Sequence, residues 1–290
     1  MSVEARPPRS EAPVQSPLFR AVQADRYERQ TGIRDYEALT DRSLVVFHGT
    51  IDHSVITPIA DAVGDAEPDK PLDLMLTSPG GDAETAVRLA RMCHAERQDF
   101  RVIVPDTAAS AATLLALAAE SVVMSNSSAL GPIDPQVPLP ARGAFIPAKD
   151  ILEIVDDLEA RTTDNPAAFE LYAALLADVD AVVYQIAKAA IRRTMELVPE
   201  VLSLRQSPPT SEETEQMAKA LQGQAMHSAT IGHDQAKTLG IPAEYMSPQS
   251  TEWDALWRLH TFYVVLLGLR FRETIIEGRR VSFRFSPDTL

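Results

Sequence analysis

A strand–turn–helix theme, repeated three times between residues 42 and 124, constrains the fold of this chain more than any other feature. The strand-like runs are RSLVVFHGT, LDLMLTS and RVIVP, and each is followed by a turn and a helical pattern. The period is about 28 residues, and a fourth short strand, SVVM, follows the third helix. Nearly continuous apolar runs are typical of strands buried on both faces of a parallel sheet. The sequence therefore predicts parallel βα units.

Composition excludes several classes of protein. The chain has 290 residues, of which 45% are hydrophobic, so a sizeable core is expected. It carries 41 acidic and 27 basic residues, a net charge of −14, and no basic stripe, so nucleic acid is not an expected partner. The single Cys93 has no disulfide partner, which fits a reducing compartment and predicts a cytoplasmic location. The N-terminal residues do not have the pattern of a signal peptide.

The chain divides into four predicted parts. Prolines at positions 7, 8, 13 and 17 predict a flexible N-terminal arm over residues 1–25. The core, 26–200, is expected to contain helices over 82–97 and 149–160, and a long amphipathic helix over 167–199, continuous or broken once. The apolar positions of the long helix are 171, 175, 182, 186 and 189. A loop over 203–216 opens the third part, 201–250, which is a late core segment.

The fourth part, 251–290, is predicted to be a C-terminal helix and tail that contributes to a homo-oligomer. Its apolar run FYVVLLGL is far shorter than the roughly 20 residues of a membrane span. The run is therefore interpreted as a buried helix, an oligomer contact or a peripheral membrane contact. A face formed by Trp253, Trp257, Phe262 and Leu266 favours an oligomer over a monomer.

Two turns stand where ligands collect in such folds, at the carboxyl ends of parallel strands. In TSPGGDAE, Gly80 and Gly81 permit backbone angles and close approaches that a β-carbon would block. In DTAASAAT, Ser110 lies among small residues where the next helix begins. Taken alone, Ser110 could be a helix N-cap, and the glycines could form only a turn. Because the two strands are neighbours, the amides of Gly81 and Ala111 could also flank one point and form an oxyanion hole beside a nucleophile.

Three ordered motifs carry a resemblance to a known family. LTSPGG, AASAATLLALAAESVVM and LGPIDPQ resemble the serine dehydrogenase proteinase family, within the wider group of signal peptide peptidase A and the Clp protease proteolytic subunit. The resemblance covers roughly residues 42 to 245. It implies an α/β, crotonase-like ββα superhelix, here with a C-terminal helical extension, and a ring or trimer-based homo-oligomer. It also implies that Ser110 is the nucleophile and that Gly81 and Ala111 supply the oxyanion amides.

The general base is less well marked than the nucleophile. No histidine lies between His94 and His227, so the usual Clp-type triad order is absent. Signal peptide peptidase A and its archaeal relatives look like Ser/Lys dyads, and Lys149 is the only lysine between Lys70 and Lys188. Lys149 is therefore the predicted base; the alternative is a solvated residue in the first turn of its helix. His227 is a second candidate, as a base, a substrate-binding residue or a helix cap.

Further residues are expected to bind substrate or to line the site. The segment LGPIDPQVPLP is too rich in proline for regular structure, and with Gly131 and Pro132 it is predicted to form a groove wall or a rigid connector. Gly80, Gly131, Pro132 and His227 are the predicted substrate-binding residues. His48 and His53 flank the first turn and are expected to be wall or surface residues. The spacing of the histidines does not suggest a metal site.

The resemblance and the turns together predict a serine endopeptidase that cuts a peptide or protein substrate through an acyl-enzyme. One alternative is a catalytically silent peptide-binding scaffold of the same fold. Another is a crotonase-like acyl-CoA enzyme that uses the same oxyanion hole. The sequence lacks a G-x-G-x-x-G nucleotide-binding pattern, so dehydrogenase activity and a cofactor are not expected.

Overall fold

The computed structural model describes residues 15–139, 143–177, 179–223, 229–268, 271 and 273–286. Its strands are β1 (Ser43–His48), β2 (Leu72–Thr77), β3 (Phe100–Val104), β4 (Thr107–Ala108), β5 (Ser121–Met124), β6 (Ala129–Leu130), β7 (Gln136–Leu139), β8 (Ala144–Pro147), β9 (Ala243–Tyr245), β10 (Thr274–Glu277) and β11 (Ser282–Phe285). Its longer helices are α1 (Pro17–Val22), α2 (Ala24–Thr40), α3 (Ile56–Asp65), α4 (Ala83–Glu96), α5 (Ala111–Ala118), α6 (Ala148–Asp164), α7 (Phe169–Leu175), α8 (Ala181–Leu202), α9 (Ser211–Gln222), α10 (His233–Thr238) and α11 (Thr251–Leu267).

A seven-stranded sheet in the order β11-β10-β1-β2-β3-β5-β9 forms the centre of the molecule. The strands β1, β2, β3, β5 and β9 are parallel, whereas β10 and β11 pair in antiparallel fashion. Every residue of β1, β2 and β5 is buried. Helices cover both faces of these strands, which is why their sequences are apolar without alternation. The predicted parallel βα units are confirmed.

The connections that follow the parallel strands pair with one another and form a second, smaller layer. Its pairs are Ile51 with Gly81, Ser78 with Ala108, β4 with β6, and Leu130 with Ile231. Hydrogen bonds join Ile51 N to Gly80 O at 2.8 Å and Ser78 N to Thr107 O at 2.9 Å. A unit of this fold is therefore a strand, a short second strand and a helix.

Alternate residues of the parallel strands face two hydrophobic cores. Val45 and Phe47 of β1 belong to the larger core, which also includes residues of α3, α4, α5 and α8. Leu44 and Val46 belong to the smaller core, with residues of α2 and α11. All eight residues of α5 are buried, so the helix that follows Ser110 is held on every side.

The N-terminal region differs from the expected arm. Residues 1–14 lie outside the described residues, but α1 begins at Pro17 and α2 at Ala24. The Ser16 hydroxyl accepts a hydrogen bond from Phe19 N, and Pro17 occupies the first helical position, where its missing N–H costs nothing. A proline that was interpreted as a sign of flexibility therefore starts a helix.

The predicted loop over 203–216 is also shorter than expected, because α9 begins at Ser211. Thr210 and Glu213 form a capping box, in which each side chain accepts a hydrogen bond from the other residue's backbone amide. Of the two alternatives for the long helix, continuous or broken once, the structure has the break, between α7 and α8. The predicted apolar face, however, is exposed: Leu171, Leu175, Val182, Ile186 and Ala189 all face outward.

The C-terminal part is more than a helix and a tail. After α11 the chain returns to the central sheet, where β10 pairs with β1 and β11 pairs with β10. This pairing joins residues more than 200 positions apart, which local patterns do not reveal. Within the proline-rich segment, residues 136–139 form β7, which pairs with β8 in a hairpin. The expectation of irregular structure there holds only for residues 131–135.

Candidate active site

Ser110 occupies a strained backbone conformation at the start of α5. Its φ is 54° and its ψ is −119°, outside the regions that residues with a side chain normally adopt. Such a conformation costs about 1–3 kcal/mol and persists only where the surroundings impose it. The Ser110 side chain makes no capping hydrogen bond to its helix. The N-cap alternative is therefore not supported, and the hydroxyl remains available for chemistry.

The backbone beneath Ser110 is held by the segment that follows β6. Ser110 N donates to Pro132 O at 3.1 Å, and Gly131 N donates to Ala108 O at 3.0 Å. A β-carbon at Gly131 would lie 2.6 Å from the Cβ of Ala109, so only glycine fits there. Gly131 and Pro132, predicted to bind substrate, are buried beneath the serine turn. Their positions indicate support of the turn.

Thr113, a residue of α5, also stabilises the turn that contains Ser110. Its Oγ1 lies 2.8 Å from Ala108 O and 2.9 Å from Gly131 O, so the hydroxyl can donate to either carbonyl. The contact joins the helix, β4 and the Gly131 segment at one buried point. This arrangement restrains the residues on both sides of Ser110.

The Pro-Gly-Gly turn lies directly against Ser110, as its place in the sheet predicted. Gly80 and Gly81 have φ values of 101° and 139°, which residues with a β-carbon rarely adopt. A β-carbon at Gly80 would approach Ala109 O to 2.6 Å. The two turns are therefore in contact, and glycine is required at the contact.

The amides of Gly81 and Ala111 lie close to Ser110, at the same cleft. Ile51 N donates to Gly80 O, and Asp82 N donates to Ile51 O. Because successive amides of an extended segment point to opposite sides, the N–H of Gly81 points away from Ile51. Within the described ranges, neither Gly81 N nor Ala111 N donates a hydrogen bond to another residue. Ala111 is also the first residue of α5, where the helix dipole favours negative charge.

Ser110 opens into a cleft of about 440 Å³. Its small or aliphatic lining residues are Pro79, Ala83, Ala111, Leu114, Ile133 and Pro135. Its other lining residues are Gly81, Ser110, Gln136, Phe145 and Thr194. None of these residues carries a charge. Elsewhere in the described part of the chain, there is no group of three or more His, Cys, Asp or Glu side chains that could hold a metal ion.

Lys149 lies next to one wall of this cleft. It is the second residue of α6 and is half-buried. The preceding residue, Ala148, donates its amide to Pro135 O at 2.8 Å, and Pro135 lines the cleft. Lys149 is not itself among the lining residues. The helix that carries Lys149 therefore starts beside the cleft.

No histidine that the structure describes lines this cleft. His227 lies in 224–228, outside the described residues. His48, expected at a wall or surface, is instead buried in the opposite face of the sheet, where its ring stacks 6.3 Å from His260. His53 is exposed and contacts Thr85, with 3.0 Å between Nδ1 and Oγ1.

The far end of α5 is held by two side chains that the sequence did not indicate. The guanidinium of Arg205 donates from Nε and Nη2 to Leu117 O. His94 Nε2 lies 2.6 Å from Ala118 O. Arg205 is buried, and burial lowers the pKa of its side chain to about 10. A cation there also complements the negative end of the helix dipole.

The sequence-based expectations missed the walls formed by Gln136, Phe145 and Thr194. Gln136 and Phe145 come from the β7–β8 hairpin, whose position depends on tertiary packing. The position of Thr194 could have been noticed in the sequence, because it is the one polar residue on the buried face of α8. The other residues of this face are Ala187, Leu197, Val198, Val201 and Leu202.

Comparisons with known proteins place these features in context. The chain is 32% identical over 192 residues to an uncharacterized protein of Methanocaldococcus jannaschii, across 66% of this chain and 59% of that protein. It therefore spans about three fifths of the length of this relative. A second uncharacterized protein of the same organism is 28% identical over 228 residues, across 77% of this chain and 70% of its own length.

The solved structures that are similar at lower identity include the following two. One is a serine-to-alanine variant of the 1510-N membrane-bound stomatin-specific protease, with a TM-score of 0.46, 14% identity, and coverage of 74% of this chain and 81% of that chain. The other is ClpP1 from Listeria monocytogenes, with a TM-score of 0.42, 14% identity, and coverage of 78% and 96%.

A family model covers most of the chain. The model, described as ClpP-like SDH-type serine proteinase, matches residues 18–259. Together with the ββα topology, this match confirms the α/β, ClpP- and crotonase-like fold that the motifs predicted. The chain therefore belongs to the family of ClpP-like SDH-type serine proteinases.

Proposed function

We propose that this protein is a serine endopeptidase whose nucleophile is Ser110. The observation that carries the proposal is the strained turn of Ser110 at the start of α5, packed against the glycine turn of Gly80 and Gly81. Backbone strain is maintained at sites where it serves to present a reactive group. The amides of Gly81 and Ala111, which donate to no residue that the structure describes, support an oxyanion hole beside the serine.

The chemistry follows from these groups. The Ser110 Oγ bonds to the carbonyl carbon of the substrate while Lys149, as a neutral amine, takes the hydroxyl proton. The amides of Gly81 and Ala111 donate to the oxyanion of the tetrahedral intermediate. The C–N bond then breaks, the lysine ammonium protonates the leaving amine, and an acyl-enzyme forms. Water attacks the acyl-enzyme with Lys149 again as base, and the serine hydroxyl is restored as the carboxylic acid leaves.

The place of Lys149 supports its role as the base. The hydrogen bond between Ala148 N and Pro135 O fixes the start of α6 to the cleft wall. Lysine can act as a base when its environment favours the neutral amine, whereas arginine stays protonated. His227 remains the alternative base and lies outside the described residues.

One observation favours an alternative function, that of a peptide-binding scaffold without catalytic activity. The residues that line the described cleft contain no titratable side chain, which suits a silent scaffold that binds peptides without cutting them. The same observation counts against an acyl-CoA enzyme that abstracts a proton with a carboxylate, because no acid lines the cleft.

Covalent labelling separates these functions. We expect a fluorophosphonate to modify the wild-type protein at Ser110, and Ser110→Ala to lose both the label and peptide hydrolysis while keeping its assembly. Lys149→Ala and Lys149→Arg should lose turnover by at least about a hundredfold. Lys219→Ala is the matched control, since Lys219 is exposed on α9 and pairs with Glu215.

The outcomes point to different functions. Wild-type protein that binds peptides but is never labelled would be a scaffold. Labelling at Ser110 with full turnover in both Lys149 variants would remove the dyad and leave His227 as the base to test.

The proposed enzyme is a cytoplasmic homo-oligomer that acts on peptides or proteins. Support for the oligomer comes from the exposed apolar residues of α7 and α8, among them Leu171, Leu175 and Val182. A second copy that covers them would remove apolar surface from water. The described helices include none that is both long and apolar enough to cross a membrane. The expected peripheral membrane contact of α11 stays a prediction.

A further inference from the structure

Thr194 places a hydroxyl in the wall of the cleft. The residue is only 6% exposed, yet it lines the cleft into which Ser110 opens. Its hydroxyl makes no hydrogen bond with any residue that the structure describes, including the carbonyls of its own helix turn. A hydroxyl in the cleft wall that has no protein partner can exchange hydrogen bonds with a polar group that enters the cleft.

Packing does not account for threonine at this position. The buried face of α8 consists otherwise of aliphatic residues, such as Leu197, Val198 and Val201, which join the larger core. Valine has the same branched shape and would continue this aliphatic face without a hydroxyl. The hydroxyl therefore needs an explanation other than the stability of α8.

The cleft around Thr194 accepts an uncharged group. The residues that line the cleft with it carry no charge, and most are small or aliphatic. Ala83 and Leu114 are among the apolar walls, and both also belong to or pack against the larger core. A charged side chain would lose its hydration here without gaining an ionic partner from the lining residues.

We infer that Thr194 is a specificity-determining residue, which selects an uncharged substrate side chain with a hydrogen-bonding group, such as glutamine. The side chain is the one next to the carbonyl that Ser110 attacks. The inference rests on the proposed function, because it takes Ser110 as the point of attack. A site that offers a hydrogen bond to such a side chain discriminates against an aliphatic analogue, whose binding would leave the hydroxyl unpaired.

The test compares four matched fluorogenic peptides that differ only in the residue before the cleaved bond: glutamine, methionine, glutamate or arginine. For wild-type protein we expect kcat/KM for the glutamine peptide to exceed that for methionine by about tenfold, and both to exceed those for glutamate and arginine. In Thr194→Val the ratio of glutamine to methionine should fall about tenfold. Thr57→Val, an exposed threonine of α3, is the control that should keep the wild-type ratio.

The inference and the proposed function fail in different ways. Labelling of Ser110 together with an unchanged glutamine-to-methionine ratio in Thr194→Val would overturn the role of Thr194 and leave the peptidase intact. Absence of labelling in the wild-type protein would overturn the peptidase. In that case, binding still tests the specificity. Fluorescence anisotropy gives the dissociation constants of the glutamine and methionine peptides for Ser110→Ala and for the double variant Ser110→Ala, Thr194→Val. Equal affinity for the two peptides with Thr194 in place would contradict it.

Discussion

A β-carbon at Gly80 would stand 2.8 Å from the Cβ of Ser110, so these two residues can be neighbours only because one of them is glycine. Gly80 also has a φ of 101°, which alanine adopts at a cost. We expect Gly80→Ala to push the serine turn out of place and to reduce the rate of Ser110 labelling by at least about a hundredfold, since displacements near 1 Å have effects of that size. The measurement is the rate of fluorophosphonate labelling, followed by mass spectrometry.

Gly64→Ala is the matched control for this substitution. Gly64 lies in α3, and a β-carbon there would meet no atom within 4 Å. In a helix, alanine is favoured over glycine by roughly 0.5–1 kcal/mol, so this variant should be as stable as wild type or more stable. Equal labelling of the Gly80 and Gly64 variants would show that the glycine turn does not position Ser110.

Arg205 is expected to stabilise the helix that presents Ser110. Arg205→Met removes the donors to Leu117 O and leaves that buried carbonyl without them. We expect the free energy of unfolding to fall by about 1–2 kcal/mol, because relief of the cost of burying a cation offsets part of the loss. Urea denaturation followed by circular dichroism measures this difference. Arg88→Met, at an exposed position of α4, should change stability by less than about 0.5 kcal/mol; equal stability of the two variants would contradict the role of Arg205.

Acidification should destabilise the fold through His48. The ring is 3% exposed, and its Nε2 has no hydrogen-bond partner among the described residues. Burial, together with the nearby His260, lowers the pKa of His48 to about 4. The unfolded chain takes up this proton below about pH 6.5, whereas the folded chain stays neutral until about pH 4. The contribution to stability is therefore complete above pH 6.5 and is lost as the pH falls towards 4.

The measurement is the free energy of unfolding in urea at pH 7.5 and at pH 5. Between these values we expect His48 to contribute a loss of about 2 kcal/mol, and His48→Phe to remove most of that difference. His53→Gln, at an exposed histidine, should keep the wild-type dependence on pH. The same pH dependence in His48→Phe and in wild type would assign the effect to other groups, such as His260, whose pKa is also lowered by burial.

The exposed face of α7 and α8 is expected to lie between subunits. Val182 is 64% exposed, and a charge at this position would have to be buried in the assembly. We expect Val182→Glu to lower the mass measured by light scattering towards that of one chain. Val265→Glu, on α11, should leave the mass unchanged if α8 forms the interface. A lower mass only in the Val265 variant would assign the interface to α11.

Local patterns were enough to predict the parallel units and the two special turns. The apolar runs of β1, β2 and β3 and the Pro-Gly-Gly turn are features of a few neighbouring residues. Because β2 and β3 are neighbours in the sheet, the turns that follow them are expected to meet, and this placed Gly80 and Gly81 beside Ser110. The capping box of Thr210 and Glu213 is an equally local feature, although the composition of this segment predicts only a loop.

Other features depend on contacts between distant residues and could not be derived from local patterns. β10 pairs with β1, and His48 is buried against His260 of α11. Both contacts join residues near the two ends of the sequence. His48 shares the face of Leu44 and Val46, because side chains alternate along a strand. Its burial was therefore predictable once those two residues were assigned to the smaller core. The hairpin that carries Gln136 and Phe145 into the cleft had no comparable signal.

The groups proposed to hold the oxyanion are main-chain amides, kept in place by hydrogen bonds between successive turns. Among substitutions, only proline removes a main-chain N–H, whereas almost any replacement removes the Ser110 hydroxyl or the Thr194 hydroxyl. The main-chain amides are therefore difficult to lose by mutation, whereas the side-chain hydroxyls are easily replaced. A descendant of this chain that lost its serine would still carry both amides, and replacement of side chains alone could place new groups beside them.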